Sequence, residues 1–182
     1  MLGLQSELPI LMAFDDAIAR LAKQVDAARK SEPSLISAEE VAALRRQGAC
    51  RLHQICAEFV SSLNSRLSDA AVDLTPPTYA PGMFREPAVN LFQIGSQGRE
   101  MQITFQATPQ LFSTEKFPVP YVLDGEVRSY NQQMLERFEI RSHLLFFCLD
   151  ESGAVWRFSD WRGGRAVPFD LDLLATLMGK LF

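Results

Sequence analysis

Apolar residues recur at helical spacing in the first third of the chain and alternate with polar ones through much of the rest, so helices are expected first and strands after. From Pro9 to Arg29, the residues Phe14, Ile18, Leu21, Val25 and Ala28 step by fours and threes along one stripe, which predicts a first helix. Lys30 to Ile36, with Pro33, interrupts that pattern. Ser37 followed by Glu40 then has the form of a capping box and opens a second helix. Its stripe runs through Val41, Leu44, Leu52, Ile55, Phe59 and Leu63 to about Leu67, roughly 45 Å at ~1.5 Å per residue. The short connection makes the two helices antiparallel neighbours, a helical hairpin over residues 1–70.

Pro76, Pro77, Pro81 and Pro87 then exclude regular helix, so residues 71–87 read as a crossing segment. Strands follow over 88–162. Asn90 to Ile94 and Glu100 to Ala107 flank Gly95-Ser96-Gln97-Gly98, whose glycines can supply positive φ for a hairpin. In the second of these, Met101, Ile103, Phe105 and Ala107 alternate with Gln102, Thr104 and Gln106, so one face is buried and the other polar. Beyond an irregular, proline-bearing stretch from Thr108 to Pro120, Asp124-Gly125 reads as a hairpin turn between Tyr121–Leu123 and Glu126–Tyr130. Arg137 to Cys148 and Ala154 to Trp161 form a further pair joined through Asp150-Glu151-Ser152-Gly153, with Trp156 and Phe158 on the core face. After Gly163-Gly164, Asp170 caps a last helix over 170–182, with Leu171, Leu174, Leu177, Met178 and Leu181 as its apolar face.

These elements add up to one α+β domain over residues 1–182: a helical hairpin, an antiparallel sheet of five or six strands built from hairpins, and a closing helix. A length of 182 residues with 47% hydrophobic content suits a single core. The net charge of -4 argues against nucleic acid and anionic membrane surfaces as partners. No apolar run approaches the roughly 18 residues of a membrane-spanning helix. Met1 to Met12 lacks the basic start of a secretory signal, and Cys50, Cys56 and Cys148 are too few and odd in number for a disulfide framework. A cytoplasmic location is the expectation.

Cys50, His53 and Cys56 carry metal-ligand chemistry, yet steps of three on a helix fan such side chains over roughly 120°, so no metal and no cofactor is expected. The best candidate row is Arg137, Glu139, Arg141 and His143, which strand alternation places together, opposite Phe138, Ile140, Leu144 and Phe146. With Arg157 and Ser159 on the same face, three guanidiniums and an imidazole would suit a carboxylate or phosphate. The plainer reading is a solvated sheet face whose cross-strand charge pairs are worth ~0.2–1 kcal/mol each. Trp161, Arg162 and Arg165 interleave aromatic and basic groups as nucleic-acid binders do, although the acidic total weighs against that use.

No nucleophile elbow, phosphate loop, metalloprotease or dinucleotide motif is present. The sequence therefore favours a non-enzymatic binding or interaction protein, homodimeric or partner-binding through its long second helix. The competing readings are an enzyme or small-anion binder using Arg137, Arg141, His143 and Arg157, and a nucleic-acid or assembly module.

Overall fold

The long stripe of the second helix is buried against a sheet. The computed structural model describes residues 17–24, 36–150, 153–160 and 165–182, and the chain divides into two compact units, Met1–Ser37 and Ala38–Phe182. In the first unit residues 17–24 are helical (α1), with Ile18 and Leu21 exposed. Phe14, Val25, Ala28 and residues 30–35 of the predicted hairpin connection lie outside the described residues.

The second unit opens with α2 (Ala38–Asn64), which begins directly after Ser37. Val41, Ala49, Leu52, Cys56 and Phe59 on its inner stripe are buried. They pack on an antiparallel sheet of seven strands in sequential order, so the unit is α+β. The strands are β1 (Asp73–Thr75), β2 (Asn90–Ser96), β3 (Arg99–Ala107), β4 (Tyr121–Asn131), β5 (Arg141–Asp150), β6 (Gly153–Asp160) and β7 (Arg165–Pro168). A 3-10 turn (Pro81–Met83) precedes β2, a short helix α3 (Gln132–Glu136) joins β4 to β5, and α4 (Leu171–Gly179) closes the chain. Leu174, Leu177, Met178 and Leu181 join the same core.

Seven strands replace the expected five or six, for three local reasons. Asp124-Gly125 is not a turn. Register runs unbroken across it, Asp124 opposite Gln106 and Gly125 opposite Phe105, and β4 is one strand with a bulge at Val122. A Cβ at Gly125 would sit 2.2 Å from the Thr104 carbonyl oxygen, so the glycine permits close strand approach. Within the supposed crossing segment, Asp73–Thr75 pairs with Gly95–Gln93 before Pro76 ends the strand, and Arg165–Pro168 adds an edge beside β6.

The β2–β3 turn is shorter than expected. Gly95 and Ser96 remain in the strand, and Gln97 (φ 51°) and Gly98 (φ 76°) make the turn, the positive-φ pair that matches strand twist. Asp170 caps α4 as expected, its Oδ1 accepting from the Leu173 N–H at 2.9 Å. Asp170→Ala should cost about 1 kcal/mol, read as a lower urea midpoint at unchanged slope.

The segment 108–120 folds back over the outer sheet face, where Phe117, Tyr121, Phe146 and Cys148 form a second apolar cluster. Arg45 ties this segment to α2. Buried on the inner stripe, its guanidinium donates to the carbonyls of Val122 (3.2 Å), Thr108 (3.0 Å), Gln110 (2.7 Å) and Leu111 (3.3 Å), and it pairs with Glu86.

Candidate functional site

The end of the sheet where β5 begins holds a cleft of about 710 Å³. Its geometry starts with α3. Asn131 caps that helix through Oδ1, which accepts from Met134 N at 2.9 Å. The helix then closes on itself: Arg137 N donates to Gln133 O (3.2 Å), Phe138 N to Leu135 O (3.1 Å) and Glu139 N to Met134 O (2.8 Å). These bonds take Arg137–Ile140 out of the expected strand, which starts at Arg141.

Phe138 turns the chain in the left-handed region (φ 56°), and its ring is 94% exposed. The left-handed turn is the C′ position of the α3 closure, where Phe138 N and Glu139 N bond back to Leu135 O and Met134 O, and it leaves the ring in solvent at the cleft lip. Leu135 and Ile140 beside it are exposed as well.

Arg141 and His143 enter the sheet on the helix-covered face that also carries Leu145 and Phe147. His143 lies across from Asp160, with Nδ1 3.8 Å from Oδ1, and its ring packs on Phe158 at 4.8 Å between centroids. Lys180 arrives from the end of α4. Arg141, His143 and Lys180 thus share the cleft with Glu139 and Asp160. Three groups able to carry positive charge, two carboxylates and an apolar lip suit a ligand with a carboxylate and an apolar body.

The structure therefore gathers Glu139, Arg141 and His143 but not the whole predicted row. Arg137 ends α3 and is exposed outside the cleft lining. Arg157 lies on the opposite sheet face, paired across the strands with Phe146 and bonded to Asp150 Oδ2 at 2.6 Å. Ser159 shares that opposite face, across from Leu144. Arg165 is an exposed β7 residue opposite Asp160, while Trp161 and Arg162 lie outside the described residues.

Two charged cleft residues, Asp160 and Lys180, had no place in the predicted row. Asp160 had a signal, because it continues the Trp156, Phe158 alternation and marks where the core face turns polar. Lys180 had none, since only tertiary packing brings the end of α4 to this place.

The Cys50, His53, Cys56 group is a packing feature of α2. His53 Nε2 donates to the Pro76 carbonyl at 2.8 Å, and the ring stacks on Tyr79 and meets Phe92 edge-on. Burial pushes the Cys56 thiol up to about 12 and raises that of Cys50, which disfavours the thiolate a metal would need. Among the described residues, no group of three His, Cys, Asp or Glu side chains is placed to hold a metal ion, and no helix is long and apolar enough to cross a membrane. No protein-family model, curated protein or solved structure matches the chain.

Proposed function

We propose that the chain is a non-enzymatic binding domain whose cleft at the start of β5 takes a small carboxylate ligand with an apolar body. One observation carries this reading: Arg141, His143 and Lys180, from two separate elements, line a single cleft whose lip is the exposed, left-handed Phe138. Arg141 would hold the carboxylate through its planar fork, Lys180 would add charge, and Phe138 with Ile140 would cover the apolar part.

Phenylacetate carries both features and is a suitable probe. It should bind with a Kd on the order of 1 mM, as a fragment of this size can. Arg141→Ala should weaken it about tenfold or more, the value of one charge-assisted hydrogen bond, while the exposed position keeps the unfolding midpoint nearly unchanged. Calorimetric titration of both proteins decides the matter. Equal affinity in the two, or no binding by the parent chain, would end this reading.

A second reading, contact with another protein, rests on the apolar lip of Leu135, Phe138 and Ile140. The long helix supports it less, because no large apolar side chain of α2 is exposed. Light scattering coupled to size exclusion should show any self-association abolished by Phe138→Ser. A dimer indifferent to that change would place the contact elsewhere.

A further inference from the structure

The outer sheet face, away from the β5 cleft and independent of what that cleft binds, carries a second feature with unmet chemistry. A cleft of about 320 Å³ lies over β3, β4 and β5 beneath the segment 108–120. Thr104, Gln106, Asp124, Glu126 and Leu144 line it, with Lys116 at its edge.

Its two carboxylates are not equivalent. Glu126 is fully engaged: Ser142 Oγ donates to Oε1, and Arg128 donates to Oε2 from Nε at 2.8 Å. Asp124 is 7% exposed, and only its Oδ2 is engaged, accepting from Lys116 Nζ at 2.8 Å. Asp124 Oδ1 is buried and has no hydrogen-bond partner among the described residues. Nearly all buried polar atoms in folded proteins have a partner, so an unmatched charged oxygen on a residue that lines a cleft marks where a donor belongs.

The intramolecular cation that meets this carboxylate is Lys116, whose side chain is 54% exposed. Its backbone is fixed by the neighbouring Phe117, which stacks on Phe146 at 5.0 Å, and by its own N–H, which donates to Tyr121 Oη at 3.1 Å. The ammonium can therefore swing away without displacing the segment. An ammonium offers Asp124 a point charge, whereas a guanidinium offers a planar fork that meets both carboxylate oxygens at once.

We infer that the outer cleft is a guanidinium site, in which Asp124 takes both arms of the fork and Lys116 is the internal competitor that a ligand displaces. The guanidinium can belong to a free small molecule or to an arginine side chain of a peptide. Agmatine and N-acetyl-arginine amide are the two probes.

Each probe is titrated into the full chain, read by amide chemical shifts and by calorimetry. At least one should give saturable shifts at Gln106 and at residues 124–126. Asp124→Asn should weaken its binding about tenfold or more, and Lys116→Met should strengthen it several-fold by removing the competitor. Saturation by agmatine alone indicates a free guanidine, and saturation by N-acetyl-arginine amide indicates a peptide. A structural ion pair with no ligand predicts that neither probe saturates, even with Lys116→Met, and that result overturns the inference. Unchanged affinity in a cooperatively melting Asp124→Asn protein overturns it too. Should Asp124→Asn not fold, the sign of the Lys116→Met effect decides.

Discussion

Arg45→Ala is expected to destabilise the second unit by about 3–5 kcal/mol, seen as a large fall in the urea midpoint. The reason is the number of acceptors that meet one buried side chain. Arg45 is 6% exposed and donates to the carbonyls of Val122, Thr108, Gln110 and Leu111, and also to Thr108 Oγ1 at 3.1 Å. Removing it takes the donor from the Thr108 and Leu111 carbonyls, each costing about 1–3 kcal/mol unless water enters, whereas Val122 O still accepts from the Thr108 N–H and Gln110 O from Thr108 Oγ1. Glu86 is half-exposed and can be hydrated again, so its loss of partner matters less. Arg45→Lys should recover only part of the stability, because an ammonium lacks the fork that reaches both segment 108–111 and Val122. A cost below about 1 kcal/mol for Arg45→Ala would mean that this segment is not held from α2.

Gly125→Ala is expected to cost about 3 kcal/mol or more, an unusually large penalty for one methyl group. The added carbon would lie 2.2 Å from the Thr104 carbonyl oxygen and 2.9 Å from Phe105 Cβ, both fixed by the β3–β4 ladder. Relief requires separating two central strands. If Asp124-Gly125 were a hairpin turn, the same change would act only through local backbone preference and cost roughly 1 kcal/mol. Chemical denaturation of this one variant separates the two descriptions.

That glycine also shows where sequence pattern reaches its limit. Alternation in β3 and the spacing of apolar residues in α2 and α4 identify those elements because each buries one face over many residues. Asp-Gly is the same dipeptide whether it turns a hairpin or admits a neighbouring strand, and only the pairing of Gly125 with Phe105 distinguishes them. β1 and β7 span three and four residues at the sheet edges, too short for an alternation to show. The row from Arg137 to His143 alternates on paper, but α3 consumes its first part in closing its own C-terminus.

The site was legible in part for a similar reason. Strand alternation puts Arg141 and His143 on one face, but that face is the core face shared with Trp156 and Phe158, not a polar face opposite the core. The two-residue β5–β6 connection sets this register: Asp150 opposite Gly153 puts Phe147 opposite Trp156 and Arg157 opposite Phe146. Carrying that register through would have sent Arg157 to the other side. The sequence reading passes over Arg45, although it stands four residues after Val41 and seven before Leu52 on the buried stripe, where a charged residue implies acceptors waiting inside the fold.

The most direct test of the proposed binding function is to map phenylacetate onto the assigned amide spectrum of the full chain. Saturable shifts concentrated at residues 138–143 and at Lys180 are the predicted result, because those residues line the cleft from β5 and from the end of α4. An unperturbed spectrum, or shifts confined to other parts of the sheet, would contradict it.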